Sequence, residues 1–238
     1  MPLRLHSVRH VPFEREAEIA AWALARGHSL THTDLWKGEV LPELSSFDWL
    51  LVLGGPMGVY DEDQHPWLAG EKRFLRASVD AGKLVLGVCL GAQLLSVALG
   101  GVVTKNPQRE IGWFEVAATP QAAQSRLFAG LPQAFEAFHW HGDTFSIPEG
   151  ALWTAKSEAC AHQAFTACQD RVLGLQFHLE TSAASMAELA ANCAEEIVLD
   201  PQAQPYIQPL PVLLERPERL TALRGLLDRI LDNMAALG

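Results

Sequence analysis

A chain of 238 residues, 49% hydrophobic and 19% charged, is long enough to bury one substantial core, so we predict a single soluble globular domain. A formal net charge of −10 with scattered basic residues does not fit a nucleic-acid-binding protein. No secretory signal pattern and no run of about 18 apolar residues occurs, which predicts a cytoplasmic protein without a membrane partner. The spacing of the four cysteines is irregular and does not indicate a disulfide framework; they are Cys89, Cys160, Cys168 and Cys193.

The first part of the chain alternates predicted strands and helices. Apolar runs predict strands at residues 3–8, 29–33, 47–53 and 83–86. Amphipathic patterns predict helices at residues 14–26, 67–81 and 92–99. This alternation is typical of an α/β fold with a doubly wound, mostly parallel sheet, flanking helices and flavodoxin-like layering. Functional sites in such sheets form at the carboxyl ends of the strands.

The rest of the chain has shorter elements that we expect to extend or cap the sheet. Strands are predicted at residues 112–116, 151–155 and 172–177, and a helix at residues 182–198. Residues 200–211 carry four prolines and are interpreted as a linker before an amphipathic helix at 220–237. We therefore predict a domain over 1–200, with 201–238 forming a linker and a helix that packs on the domain or on a partner.

The segment Gly87-Val88-Cys89-Leu90-Gly91 places a cysteine between two glycines, where a buried strand turns into a helix. Glycines at these positions remove Cβ atoms that would clash in a tight turn, as in the related serine motif. The helix N-terminus behind the sulfur favours the thiolate. We predict that Cys89 is a nucleophile; the alternative is a buried cysteine in a close-packed junction.

A cysteine nucleophile needs a base and a group that orients the base. The strand at 172–177 delivers His178 to its carboxyl end, and Glu180 shares its face if the chain stays extended. The pattern predicts a Cys89–His178–Glu180 triad suited to acyl transfer. The backbone amides of Leu90 and Gly55 are the candidate donors for an oxyanion hole, although Gly54-Gly55-Pro56 also fits an ordinary tight turn.

Five motifs in this order resemble the class I (triad) glutamine amidotransferases, particularly stand-alone members similar to the amidotransferase domain of GMP synthase. The resemblance spans about residues 45–200. Its most specific parts are the cysteine turn and the distant Gln-Phe-His-x-Glu sequence. The motifs are Leu53-Gly54-Gly55-Pro56, Gly87-Val88-Cys89-Leu90-Gly91-Ala92-Gln93, Glu110-Ile111-Gly112-Trp113, His139-Trp140-His141-Gly142-Asp143 and Gly174-Leu175-Gln176-Phe177-His178-Leu179-Glu180.

The resemblance implies hydrolysis of the glutamine side-chain amide through a γ-glutamyl thioester, with release of ammonia and without a cofactor. It implies that Cys89 is the nucleophile, His178 the base and then the acid, and Glu180 the orienting group. Gly55 and Leu90 would form the oxyanion hole. Gln93 would contact the substrate, and the loop His141, Gly142 and Asp143 would border it.

No metal site is expected, because the candidate zinc ligands match no compact spacing: Cys160, His162, Cys168 and the His139/His141 pair. A polar run beside the Gly-Gly-Pro loop is interpreted as a solvated flap able to close over a substrate: Asp61, Glu62, Asp63 and His65.

Two departures from the family pattern leave the function open in detail. Leu179 stands where most relatives have proline, and no nucleotide-binding loop of a synthase is present. The first hypothesis is a glutaminase that supplies ammonia to a separate synthase subunit. The second is a freestanding hydrolase or transferase of γ-glutamyl peptides or amines, and the third is a non-catalytic binding module. The apolar stripe of the C-terminal helix also leaves a homodimer open as an alternative to packing on its own domain.

Overall fold

A computed structural model of the protein describes residues 1–214 and 217–238, so Glu215 and Arg216 of the predicted C-terminal segment 201–238 lie outside the described residues. The strands are β1 (Arg4–Arg9), β2 (Ser29–Asp34), β3 (Trp49–Val52), β4 (Leu84–Val88), β5 (Val103–Ala118), β6 (Ala134–Phe145), β7 (Leu152–Lys156), β8 (Ala164–Ala167) and β9 (Val172–Leu175). The α-helices are α1 (Glu18–Ala25), α2 (Trp67–Asp80), α3 (Leu90–Ala98), α4 (Ala183–Asn192), α5 (Leu210–Leu214) and α6 (Pro217–Ala235).

These strands form one mixed sheet in the order β2-β1-β3-β4-β9-β8-β7-β5-β6. The predicted α/β class with flanking helices is confirmed. The first five strands of this order are parallel, whereas the pairs from β9 to β6 are antiparallel. The antiparallel half is larger than the sequence indicated, because β5 through β9 follow one another without the helical crossovers that parallel strands require.

Two apolar layers cover the sheet. Side chains alternate along each strand, so Leu51 of β3 packs in the layer that contains α1, α4 and α6, and Leu50 packs in the layer that contains α2 and α3. This arrangement buries β3 and β4 on both faces, as expected of central parallel strands. None of the helices in the described ranges combines the length and apolar character needed to span a membrane.

The antiparallel strands were the least predictable elements. Strand β5 has 16 residues, of which only residues 112–116 were predicted, and β6 and β8 were not predicted. The first part of β5 carries exposed charged residues such as Lys105 and Arg109. Strand β6 contains polar residues that are buried, including His139 and His141. Neither segment therefore shows the continuous apolar run that marks a central strand.

Helix boundaries also differ at two places. Helix α1 begins at Glu18 instead of residue 14, because Ala17 adopts a left-handed φ of 41° and interrupts the helix there. Residues 10–16 consequently form a loop at the carboxyl end of β1. The predicted helix 182–198 divides into α4 and a short 3-10 helix at Ala194–Glu196.

The C-terminal segment lies on the rest of the chain. Within the predicted linker, the Gln208 amide donates to the Ile111 carbonyl at 2.8 Å, which attaches this segment to β5. Helix α6 buries its apolar stripe in the same core layer as α1, with Leu223, Leu227, Ile230, Leu231 and Met234 each at most 1% exposed. Asp232 accepts hydrogen bonds from Trp22 and Arg26 of that part of the fold. This stripe, which left a homodimer open, is covered by the chain's own core.

The close approach of α3 to β3 yields a prediction. A Cβ atom at Gly91 would collide with the Val52 carbonyl oxygen, so Gly91→Ala should lower the free energy of unfolding by about 1–3 kcal/mol. The matched control is Gly225→Ala in α6, where an added Cβ meets no atom within 4 Å and should raise stability by about 0.5–1 kcal/mol. Urea denaturation measures both variants, and equal stabilities would contradict the predicted collision.

Candidate active site

Cys89 occupies a left-handed turn between β4 and α3, with φ 53° and ψ −109°. The two flanking glycines allow this turn. A Cβ at Gly87 would lie 2.5 Å from the backbone of Gly91, and a Cβ at Gly91 would collide with the Val52 carbonyl oxygen. The sequence therefore places the sulfur at the first turn of α3 at the carboxyl end of β4, as predicted from its glycine pattern.

Two polar groups contact the buried thiol, and a third holds one of them. The Cys89 Sγ lies 3.6 Å from the Trp140 carbonyl oxygen, and the Gln176 side-chain amide donates to Sγ at 3.6 Å. Gln93 in turn donates to the Gln176 side-chain oxygen at 3.1 Å. Gln93, predicted to contact substrate, thus also orients Gln176, whose own contact with the sulfur was not predicted.

His178 lies beside this thiol, positioned from two strands. Its backbone amide donates to the Phe138 carbonyl at 2.8 Å, and its Nδ1 is 2.6 Å from Glu180 Oε1. Nδ1 is therefore oriented by the carboxylate, and Nε2 is the ring nitrogen left for Cys89. His178 and Glu180 are 4% and 9% exposed, so this pair is shielded from water.

The ionisation of the pair follows from burial and these contacts. Burial by itself would lower the pKa of His178, but the Glu180 carboxylate and the Cys89 sulfur hold that pKa well above its usual value. Burial raises the pKa of the Cys89 thiol, while the neighbouring His178 and the Leu90 amide oppose this rise. A thiolate at Cys89 therefore depends on a proton held by His178.

A cavity of about 180 Å³ opens over the sulfur. The cavity brings together the predicted nucleophile, base, oxyanion donors and substrate-binding residues, and Glu180 lies behind His178. The cavity lining includes Cys89, His178, Gly55, Leu90, Gln93, His141, Gly142 and Asp143. These residues lie in segments spread along the chain from Gly55 to His178. Their convergence follows from the carboxyl ends of β3, β4 and β9 meeting at one edge of the sheet.

Ion pairs and hydrogen bonds form the rim of the cavity. The Tyr60 hydroxyl donates to Asp143 at 2.8 Å, and Lys105 Nζ lies 2.7 Å from the other Asp143 oxygen. On the opposite side, Arg109 pairs with Glu196 at 2.7 Å. The predicted flap 61–65 follows Tyr60, and its first residue, Asp61, lines the cavity. The loop is thus attached to β6 through Tyr60.

The His141 ring is directed away from the thiol, into a buried polar cluster. Its Nδ1 bonds to the Asp143 carbonyl oxygen at 3.0 Å, and its Nε2 is 3.0 Å from Glu110. Although burial acts to raise it, the neighbouring His141 and His139 hold the pKa of Glu110 at about 2, and burial lowers the pKa of His139 to about 4. His141 lines the cavity, where the sequence analysis expects the substrate, and its ring also links β6 to Glu110 of β5.

Potential metal ligands occur in this same cluster. Donor atoms of Glu110, His141 and Cys160 lie within 4.8 Å of one another. The Glu110 oxygens already accept hydrogen bonds from Ser157 at 2.7 Å and Gln163 at 2.6 Å. Cys168, one of the residues that the sequence analysis rejected as zinc ligands, is exposed, and all four cysteines are free thiols. Hydrogen bonding accounts for the cluster among the residues the structure describes.

Glu14 is a carboxylate of the site that the sequence did not reveal, because residues 14–26 were predicted as an amphipathic helix. Its side chain lies against Gly54 and lines the cavity together with Cys89 and His178. Burial raises the pKa of Glu14 to about 7, although His178 and His10 act to lower it. The left-handed residue before α1 is the structural reason that Glu14 reaches the site.

Comparison with known proteins agrees with this geometry. The model of the family "Glutamine amidotransferase class-I" matches residues 13–197. The chain belongs to the class-I glutamine amidotransferase family. Membership supports glutamine amide hydrolysis as its general class of activity, in line with the predicted resemblance.

Relatives of known sequence fall into two kinds. A glutamine amidotransferase-like protein of Salmonella typhimurium, YfeJ, is 30% identical over 87% of this chain and 87% of its own length. A glutamine-hydrolysing GMP synthase of Thermomicrobium roseum is 35% identical over 56% of this chain, but the match covers only 23% of that enzyme. The chain thus spans about a quarter of the GMP synthases it matches.

Solved structures show the same fold over nearly the entire chain. A glutamine amidotransferase of Thermotoga maritima superposes with a TM-score of 0.87 at 30% identity, covering 98% of both chains. A glutamine amidotransferase of Methylobacillus flagellatus gives a TM-score of 0.89 at 30% identity, covering 99% of this chain and 94% of its own. Both include the segment after residue 200, so α6 is part of the shared fold.

Glu14 yields a prediction about the ionisation of the thiol. Its negative charge contributes to the raised pKa of Cys89, so Glu14→Gln should lower that pKa and shift Cys89 alkylation to lower pH. The measurement is the rate of iodoacetamide labelling of the Cys89 peptide against pH, by mass spectrometry. Because only the Cys89 peptide is measured, labelling of the exposed Cys168 does not affect the result.

The control for this experiment is Glu43→Gln, which removes an exposed carboxylate outside the cavity and should leave the labelling profile unchanged. A Glu14→Gln profile that matches the wild type or moves to higher pH would contradict the assigned influence of Glu14.

Proposed function

We propose that this protein hydrolyses the side-chain amide of glutamine through a covalent γ-glutamyl thioester on Cys89, releasing ammonia. The observation that carries the proposal is the arrangement of His178, with Nδ1 2.6 Å from Glu180 and the opposite ring edge beside the Cys89 turn. Family membership supports glutamine amide hydrolysis in general. The proposal assigns the individual steps to residues of this chain.

In the first step, His178 Nε2 accepts the Cys89 proton and the thiolate attacks the amide carbon. Negative charge develops on the carbonyl oxygen, which the amides of Gly55 and Leu90 would stabilise. When the tetrahedral intermediate collapses, the C–N bond breaks and His178 gives its proton to the departing ammonia. A water molecule, deprotonated by His178, then attacks the thioester to release glutamate and regenerate the thiol.

Glu180 keeps the imidazole in the orientation this sequence requires and stabilises its positive charge. The short distance between Glu180 and His178 is maintained although Leu179 stands where most relatives have proline. Leu179 is 1% exposed and packs in the core, so its side chain anchors the turn between His178 and Glu180.

The charged rim of the cavity suits a small substrate with one charged end. Gln93 would hold the substrate together with Gln176, and the backbone of His141 and Gly142 with the Asp143 carboxylate would border it. Asp143 is tied to Tyr60 and Lys105, which fixes the rim on that side. We place the α-amino-acid end of glutamine toward this rim and the amide toward Cys89.

A second candidate function is a freestanding hydrolase or transferase of γ-glutamyl peptides or amines. It is favoured by the similarity to a glutamine amidotransferase-like relative that is matched over 87% of each chain. The GMP synthases favour the alternative, in which a separate synthase subunit receives the ammonia. The two candidates share their chemistry and differ in the leaving group and in the need for a partner.

Substitution of the proposed triad tests the chemistry. Cys89→Ala should abolish hydrolysis without unfolding, because it removes the nucleophile and only one sulfur atom from the packing. Glu180→Gln should reduce kcat less, because an orienting group is partly dispensable. Ammonia release from glutamine and product release from γ-glutamyl dipeptides and amines, with thermal melting as a check on folding, measure these effects.

The substrate panel also separates the candidates. Faster turnover of γ-glutamyl peptides or amines than of glutamine, in the absence of other proteins, would favour the freestanding hydrolase. Cys89→Ala protein that still hydrolyses the best substrate would show that the proposed mechanism is wrong.

A further inference from the structure

Behind the Gly54-Gly55 loop lies a histidine–carboxylate pair that no step above uses. His10 follows β1 and Glu71 lies in α2, and both side chains are 0% exposed. The His10 Nε2 is 2.9 Å from Glu71 Oε1, and its Nδ1 is 2.8 Å from the Gly54 carbonyl oxygen. The imidazole therefore connects a helix on one face of the sheet to the loop that borders the Cys89 cavity.

Both ring nitrogens of His10 face acceptors, which determines its protonation. A neutral imidazole has only one N–H, so it would direct a lone pair at either Glu71 or Gly54. The doubly protonated ring donates to both. Burial acts to lower the pKa of His10, but Glu71, the Gly54 carbonyl and the nearby Glu14 together raise it above its ordinary value. The Trp67 ring stacks on the imidazole at 5.5 Å.

A buried ion pair of this kind is weak evidence for a role in stability. Taking two charges out of water costs several kcal/mol per ion, and well-packed apolar residues often stabilise a fold as much or more. The neighbouring positions of this core layer are filled by such residues, including Leu68 and Leu75 of the same helix. The pair is better explained by what it holds, which is the Gly54 carbonyl.

The direction of that carbonyl determines the direction of the next amide. Within a planar trans peptide, the C=O and the following N–H point in opposite directions. With the Gly54 oxygen directed at His10, the Gly55 N–H points away from the pair. Gly55 lines the cavity beside Cys89 and Leu90, and among the described residues its amide has no hydrogen-bond partner. Glycine at both positions leaves this peptide free to rotate unless a contact holds it.

We propose that His10, held by Glu71, is a positioning residue that fixes the Gly54–Gly55 peptide so that the Gly55 amide is directed at the oxyanion formed over Cys89. This inference rests on the proposed function and extends it to two residues outside the cavity. His10 does not contact the substrate; it acts by fixing the orientation of the Gly54–Gly55 peptide. Its loss should therefore reduce kcat while leaving KM little changed.

The test compares two double variants that differ only in the donor at residue 10. Glu71→Met is present in both, so that neither leaves an unpaired carboxylate in the core. His10→Leu/Glu71→Met has no donor for the Gly54 carbonyl. His10→Asn/Glu71→Met restores one, because the asparagine amide nitrogen occupies nearly the position of imidazole Nδ1. His6→Gln controls for loss of a buried histidine, because His6 bonds to Thr31 and Thr33, away from the cavity.

Two reactions of Cys89 distinguish positioning of the oxyanion donor from general damage. Formation of the γ-glutamyl thioester passes through an oxyanion, whereas alkylation by iodoacetamide does not. We expect the leucine variant to lose about 10- to 100-fold in kcat, approaching the effect of removing one oxyanion donor, with an alkylation rate within about twofold of wild type. The asparagine variant should recover most of the lost kcat, and His6→Gln should match wild type.

Equal kcat values for the leucine and asparagine variants, or a parallel fall in alkylation, would overturn the proposal. Crystal structures of both variants supply a readout independent of turnover. The Gly54–Gly55 peptide should be rotated or mixed in the leucine variant and native in the asparagine variant, and an unchanged peptide in both would also overturn the proposal. If wild-type protein formed no thioester with any γ-glutamyl compound, the proposed function would fail, and the peptide orientation would still decide the role of His10.

Discussion

The left-handed backbone of Cys89 is the constraint on which the rest of the site depends. A non-glycine residue at φ 53° is held there at a cost of about 1–3 kcal/mol, and it persists because the elements on both sides are over-determined. Strand β4 is buried along its entire length, and α3 is buried from Leu90 to Ser96. The Cys89 amide also donates to the Leu175 carbonyl at 2.7 Å, which ties the turn to β9. Because β9 continues directly to His178, the bond that fixes the sulfur also fixes the register of its partner.

The charged groups around this turn have opposing effects on the ionisation of Cys89. The protein carries a formal net charge of −10, and the carboxylates of Glu14 and Glu180 lie beside the thiol's partner, an environment that disfavours a thiolate. His178 and the Leu90 amide are the groups that oppose this effect. The negative charge of the site thus lies next to the imidazole of His178, and the Leu90 amide lies beside the sulfur.

The sequence predicted those parts of the site whose geometry is encoded locally. The glycines at positions i−2 and i+2 revealed the turn at Cys89, and the i, i+2 spacing of His178 and Glu180 gave a contact now seen at 2.6 Å. The alternation of strands and helices likewise predicted the parallel half of the sheet. For the two site motifs a pattern of a few residues was sufficient, because the constraint acts on neighbouring backbone.

Residues whose roles depend on distant contacts could not be recognised in this way. His10 and Glu71 are 61 positions apart, and a glutamate inside an amphipathic helix is usually solvated. Glu14 lay in a predicted helix that begins four residues later, after the left-handed Ala17. Strand β6 was missed because its histidines are buried against Glu110 of β5, and a polar residue shows no apolar signal even when its partner is buried with it.

Leu179 shows how one local requirement can be met by different physical means. Proline at this position would restrict the backbone between the base and its orienting carboxylate through its fixed φ. Leucine has no such restriction, but its side chain is 1% exposed and belongs to the core layer that also contains Phe138, whose carbonyl accepts from the His178 amide. Packing on one side and a backbone hydrogen bond on the other thus restrict the same turn. The orientation of His178 therefore depends on the integrity of the same core layer that contains Cys89.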